Sequence, residues 1–383
     1  MDDWRLLYGG AWARVRQALR LSRADGRPIA PVAIGIGAVT WLVTLALAYL
    51  GPGGGPMALR QVLEDYGVTV RLLLAVPILL LDEYRVDTRV SILLPGMVAS
   101  GLFAPGDQDE WQERVRATRH RMTRAATLLV LAGIVVLLVI PTLSNPIRVM
   151  AAEWAHGSAL GNLSWAGVWY TVVGRPLFLF LGLLWVWRWM SISIFIFKTS
   201  RAPLVLQPSH PDKMGGLAIF MEMSTAVMAV IFTGSAVISA EVYYEMAHHG
   251  STLKSFGPIL IAYIVLALLV ALGPLLSFSR LLARLRRRAL FLYGVLASKH
   301  SVLFERKWFV KGPPVDELLG ASEISSLTDL ATAYFVAESI QTVPFGRGTL
   351  VTVALAAAAP MIPVVLLEIP LQEILTRLAK FVM

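Results

Sequence analysis

The sequence predicts an all-α, polytopic membrane protein with about seven transmembrane helices and a cytoplasmic helical hairpin. Three observations predict it. The 383 residues are 56% apolar and only 15% charged, against about 25% charged in soluble domains. The apolar residues gather in seven long runs, most of them near the ~20 residues that a bilayer requires. The 34 Lys and Arg alternate from one connecting segment to the next: 26 lie in residues 1–30, 82–124, 198–215 and 279–347. Only Arg60, Arg148, Lys254, Arg377 and Lys380 lie in the segments between, while Arg71, Arg175 and Arg188 fall inside apolar runs. Cationic side chains are retained on the cytoplasmic side of a membrane, so the N-terminus is expected inside and the C-terminus outside.

Residues 1–30 form the first unit, an amphipathic cytoplasmic helix. Trp4, Leu6, Leu7, Trp12, Val15, Leu19 and Leu21 interleave with Arg5, Arg14, Arg16 and Arg20, a spacing suited to the inner leaflet. Residues 31–278 hold spans one to six. Pro31–Leu50 is longer than a secretory h-region and reads as a span, although Ala46-Leu47-Ala48 resembles a cleavage site. The second span runs from about Ala58 to Leu81, with Arg71 snorkelling outward. Val90–Phe103 is short and broken by Pro95-Gly96, so it reads as interfacial or re-entrant. Ala125–Leu143, Trp165–Phe197, Gly216–Ala240 and Gly257–Phe278 supply spans three to six. Residues 279–347 read as two helices around Gly312-Pro313-Pro314, with Ser322 as an N-cap. Residues 348–383 hold span seven, with Pro360 and Pro363, and an outer C-terminus.

Several chemistries are excluded. The chain has no cysteine, hence no disulfide, thiolate metal site or Cys nucleophile. The net charge of +9 sits mainly in cytoplasmic segments and reads as contact with anionic lipid headgroups instead of nucleic acid. No catalytic or cofactor motif of high specificity occurs, so enzymatic activity is the less favoured expectation and no cofactor is expected.

Four constellations remain. Arg188 lies ten residues before Lys198, and Glu222 nine after Lys213. If both lysines mark the inner interface, the two charges meet ~14–15 Å deep on adjacent helices. They would either line an ion or proton route with Ser191, Ser224 and Thr225 or form a static bridge. His210 and Asp212 precede span five and read as helix-start chemistry or as a proton relay. Glu153 and His156, and Glu245 and His248 with Glu241 a turn earlier, follow spans three and five. Paired Glu-x-x-His units ligate metals in di-iron bundles, and the same residues also end helices well. The equivalence hints at a parallel repeat of spans three–four and five–six. Arg284, Arg286, Arg287 and Arg288 are placed to meet anionic lipid. Ala354 and Ala356–Ala359 permit close helix packing, within one subunit or across a homo-oligomer.

The segments His210–Leu217, Tyr293-Gly294-Val295-Leu296 through His300, and Pro344–Arg347 resemble an uncharacterised group of bacterial multi-pass membrane proteins. The resemblance covers mainly residues 200–383. It implies no activity and draws attention to His210, Asp212 and His300 as a set. A composition of 27 Arg against 7 Lys points the same way, to a GC-rich bacterial genome. The functions expected are a channel or transporter for an ion or small solute using Arg188 and Glu222, or a membrane scaffold or accessory subunit whose hairpin binds a partner.

Overall fold

The computed structural model describes residues 4–23, 26–144, 153–157, 163–310 and 322–368. Among these the fold is all-helical, with isolated bridges and no strand. In chain order the helices are α1 (Gly10–Ala18), α2 (Ala30–Leu50), α3 (Pro56–Glu64), α4 (66–99), α5 (Gln108–Thr123), α6 (Ala125–Ser144), α7 (Trp165–Thr199), α8 (Ala218–His249), α9 (Leu253–Leu272), α10 (Ser279–Glu305), α11 (Ser322–Glu338) and α12 (Arg347–Leu366). Six segments are long and apolar enough to cross a membrane: α2, α6 with its preceding helix, α7, α8, α9 with its continuation, and α12. The protein is therefore built to sit in a membrane.

α4 is the element that departs most from expectation. It does not begin near Ala58, because α3 ends at Glu64 and the Asp65 side chain caps a new helix by accepting the Val68 N–H at 3.0 Å. It also does not stop at Leu81. Residues 82–89 continue the helix to Ala99, with Pro95 inside it, so Val90–Ala99 is neither re-entrant nor a separate interfacial piece. Of the carboxylates that look like loop residues in sequence, Glu83 and Asp87 are held by partners from other parts of the chain, Asp82 pairs with Arg85 on the same helix, and all three are buried. At 34 residues α4 is ~50 Å long and runs beside α2, whose Gly37 lies against the Leu72 carbonyl where no Cβ would fit.

α7 repeats the construction of α4. Ser164 caps it by accepting the Gly167 N–H at 3.0 Å. Each helix then widens by one residue. The Val76 N–H bonds back to the Arg71 carbonyl in α4, and the Arg175 N–H to the Tyr170 carbonyl in α7, five residues each. Each wide turn stands immediately before a proline, Pro77 or Pro176. Proline cannot donate and its ring crowds the preceding turn, and an inserted residue is one way a helix absorbs this. Cap, wide turn and proline recur at the same interval of 99 residues that separates Arg71 from Tyr170. Trp12 of α1 and Trp111 of α5 also share it. The repeat thus relates α1–α4 to α5–α7. α9 does not continue it, since Thr252 makes no side-chain cap and its proline comes early, at 258.

The main core joins α2, α4, α5, α7, α8 and α9 around Leu79, Trp111, Trp185, Phe195, Phe220 and Phe278. The N-terminal segment belongs to it. Leu6, Leu7 and Leu21 are buried against protein, so α1 is tucked under the bundle with its flanking apolar residues turned into the core and not into a leaflet. α10 and α11 pack against one another, with Ala289, Ala337 and Ile340 at the seam. The expected connecting turn, Gly312-Pro313-Pro314, lies outside the described residues.

Candidate functional site

Two ionic clusters join α4 to α7, one at each end of the bundle. At the end that carries the basic segments, Glu83 of α4 receives Arg16 of α1 at 2.9 Å and Arg188 of α7 at 3.1 Å. The Trp12 indole N–H donates to the same carboxylate at 2.9 Å. All three charged side chains are 3–4% exposed. Arg188 also lies over the Trp185 ring, 5.4 Å from its centroid. One turn along α4, Asp87 accepts the Leu7 N–H at 2.8 Å and the Tyr8 N–H at 3.3 Å. Glu83 and Asp87 together strap the N-terminal segment to the bundle.

This geometry corrects the expected Arg188–Glu222 pair. Glu222 is half exposed and meets Arg89 of α4 at 3.5 Å. Thr225 accepts from the same Arg89 at 3.3 Å, while Ser191 and Ser224 are buried. The two charges do not meet, because Arg188 turns to Glu83 of α4 while Glu222 faces Arg89. The Trp187 indole reaches the Arg121 carbonyl at 3.4 Å, at the corner between α5 and α6, and α7 continues past that corner to Thr199 alongside α5. Arg188 is therefore close to the basic edge of the bundle, within reach of α1.

At the far end, Arg71 donates to the Tyr170 hydroxyl at 3.1 Å and pairs with Glu241 of α8. Both Arg71 and Tyr170 lie in the wide turns. Gly67 makes this approach possible, since a Cβ there would stand 2.3 Å from a Glu241 oxygen. Asp65 accepts the Trp154 indole N–H at 3.0 Å. Unlike its counterpart, this cluster is wet at one side: Glu241 is 50% exposed.

The candidate metal ligands are scattered over the same end and are already engaged. Glu153 accepts from Gln61 at 2.8 Å, Glu241 holds Arg71, Glu245 meets His249 at 3.2 Å, and His248 lies 3.8 Å from Glu64. His156 lies in an isolated bridge with Leu163. Among the described residues no three His, Asp or Glu side chains converge as a metal site would require. The Glu-x-x-His spacing places each pair at a helix end or turn but does not turn the pairs toward each other.

His210 and Asp212 form a loop knot. The Asp212 carboxylate accepts N–H bonds from Met214 at 2.8 Å, Gly216 at 3.0 Å and Ala218 at 3.1 Å, with His210 Nδ1 2.8 Å away. Burial opposes its ionisation, but these donors outweigh burial and hold its carboxyl below the usual range. The positive φ values of Lys213, Gly215 and Gly216 fold the loop around it. This is the helix-start role. His300 instead bonds Ser326 at 3.0 Å across the hairpin. Arg286 ties α10 to the Glu338 carbonyl at 3.1 Å, Arg284 reaches the Arg280 carbonyl at 3.4 Å, and Arg287 and Arg288 are exposed.

Sequence reasoning missed Arg16, Glu83, Tyr170 and Asp65, and read Arg71 as a lone snorkelling charge. The 99-residue interval between the two helix starts was the available signal for Asp65, Arg71 and Tyr170. No comparable signal marks Glu83, whose partners are remote in the chain. No known protein family, curated protein or solved structure matches this chain.

Proposed function

We propose that this is a bacterial inner-membrane scaffold or accessory subunit whose α10–α11 hairpin docks a partner protein on the cytoplasmic side. In this reading α4 crosses as a seventh span, the N-terminus is cytoplasmic and the C-terminus periplasmic. The alternation of Lys and Arg supports that threading, because it places every strongly basic segment on one face.

The observation that carries the reading is the surface of α10. Its side toward α11 is narrow, with Gly294 packed near Tyr334. The opposite side exposes Phe291, Leu292, Val295, Leu296, Val302 and Leu303, with Phe291 70% exposed. Arg284, Arg288, Lys299 and Arg306 lie among them on the same side of the helix. A continuous apolar strip of this kind on a helix beyond the bundle marks an interaction surface. The basic residues fit a partner with acidic character, and Arg284, Arg287 and Arg288 at its base fit anionic lipid headgroups.

The test is affinity purification in mild detergent, comparing wild type with the double substitution Phe291→Asp, Leu296→Asp. Both side chains face away from α11, so the fold is retained. The scaffold reading expects a stoichiometric protein in the wild-type sample that is lost in the variant. An identical set of co-purifying proteins in both samples would overturn it.

A second reading, a channel or transporter, has one specific observation in its favour. Wide helical turns concentrate at functional sites, and here two of them present Arg71 and Tyr170 to one another. Flux of ions or protons into liposomes that is abolished by Arg71→Ala would favour this reading.

A further inference from the structure

We propose that the crevice between α4, α8 and α12 is a binding site for one acyl chain of an ester-linked glycerophospholipid, taken from the leaflet at the far end of the bundle. The crevice has a volume of about 400 Å³ and an almost wholly apolar wall. Tyr66, Val70 and Leu74 of α4 form one side. Phe232, Ala236 and Ser239 of α8 form the second, and Pro360 and Pro363 of α12 the third.

Three features identify the occupant. The first is depth. Tyr243 and Tyr66 meet edge to face at the crevice mouth, 4.9 Å between centroids, as interfacial tyrosines do. Phe232 lies eleven residues further along α8, or ~16 Å at 1.5 Å per residue. That is about half of a ~30 Å hydrocarbon core, the reach of a single leaflet. The second is the origin of the gap. α12 is broken at Pro360 and Pro363. Below the break the Ser235 hydroxyl donates to the Ala357 carbonyl and clamps α8 to α12. At the level of the break Met361 and Val364 stay packed against Val242 and Met246 of α8, while Pro360 and Pro363 line the crevice, and a membrane fills such a lateral gap with hydrocarbon.

The third is Ser239. It stands one turn above Ser235 on the same side of α8, lines the crevice, is only 4% exposed, and its hydroxyl has no partner among the described residues. A buried hydroxyl without a partner is costly. An acyl chain alone would leave it so, whereas the ester carbonyl at the head of a glycerolipid chain accepts its proton. The ligand class is thus fixed by a hydrocarbon slot with a donor at one wall.

The test uses vesicles of phosphatidylethanolamine and phosphatidylglycerol doped with a phosphatidylglycerol that carries a diazirine in one acyl chain. After illumination, cross-linked residues are mapped by mass spectrometry. Labelling is expected to concentrate severalfold on Phe232, Ser239, Pro360 and Val364 relative to Leu129 and Val136, which are exposed on α6. Ala236→Phe fills the crevice and should reduce this labelling to the α6 level. Ser239→Ala should weaken it for the ester probe and leave it unchanged for an ether-linked analogue, a comparison that holds even if Ala236→Phe fails to fold. Crevice labelling no greater than that of α6, or equal labelling by ester and ether probes in wild type and Ser239→Ala, would overturn the proposal.

Discussion

The two ionic clusters connect the same two helices and are built in opposite ways. At the basic end one carboxylate, Glu83, serves two guanidinium groups and an indole in a site closed to water. At the far end one guanidinium, Arg71, is shared between a buried phenol and a half-exposed carboxylate. The first cluster brings in a third element, the N-terminal strap, and the second brings in α8. The difference lies in what happens when a member is removed. A dry cluster has no water to compensate its survivors, so its members are mutually dependent. A cluster with one wet side lets solvent replace the missing partner, and each contact there contributes little.

The comparison is tested most severely at Glu83. Glu83→Ala leaves Arg16 and Arg188 buried without a counter-charge, and the expected loss is about 3–5 kcal/mol. It should appear as a large drop in the unfolding midpoint in detergent and in loss of protection of residues 4–23 from protease. The triple substitution Arg16→Met, Glu83→Leu, Arg188→Met removes the whole cluster and should recover most of that loss, because a well-packed apolar replacement carries no desolvation cost. If the single and triple variants are equally unstable, the cluster is not a mutually dependent unit.

Asp212 falls between the extremes, because its carboxylate is 12% exposed and its donors are mostly backbone N–H groups. Asp212→Ala should cost about 1–2 kcal/mol, as loss of a helix cap does. Its carboxyl is held below the usual value, so its contribution is full above the ordinary carboxylate range and is lost as pH falls through the lowered value. The stability gap between wild type and Asp212→Asn should therefore be constant from neutral pH down to about 5 and close only below about pH 4. A gap that closes near neutral pH would break this account of the Asp212 carboxyl.

At the far end Arg71→Ala is expected to cost about 1 kcal/mol, since its carboxylate partner is already solvated. The Arg71–Glu241 coupling, measured by a double-mutant cycle, should shrink at high salt, and the Arg188–Glu83 coupling should not. Equal salt sensitivity at both ends would remove the distinction between them.

How much of this was legible in the sequence follows from where each contact's information lies. The apolar runs are local and cumulative, and they identified the six helices that are long and apolar enough to cross a membrane. The segment 82–89 could not be read as helix, because a charged stretch between apolar ones looks like a loop until its partners are known. Those partners, Leu7, Arg16, Arg188 and Glu222, come from three other parts of the chain. The pairing of Arg188 was misjudged for a related reason: its partner Glu83 lies in that same charged stretch, remote in the chain. The cap, wide turn and proline of α4 and α7 were available as a regular interval. The shorter Glu-x-x-His pattern suggested a different repeat, and among the described residues its two pairs do not converge.

Glu222 gives the smallest expected effect and tests the transport route that the sequence drew through it. It stands 48% exposed opposite an Arg89 that is 49% exposed, at 3.5 Å. Such a pair is worth under about 0.5 kcal/mol, so Glu222→Gln should leave the unfolding midpoint unchanged within error. The same variant bears on transport. A carboxylate on a permeation route controls flux whatever it contributes to stability, because it must be desolvated or protonated each time an ion passes. A rim carboxylate in a half-exposed ion pair does neither. Unaltered stability together with unaltered proton and ion flux in liposomes is the expected outcome. Unaltered stability with abolished flux would place the route beside α8 after all and would make Arg89 its gatekeeping cation.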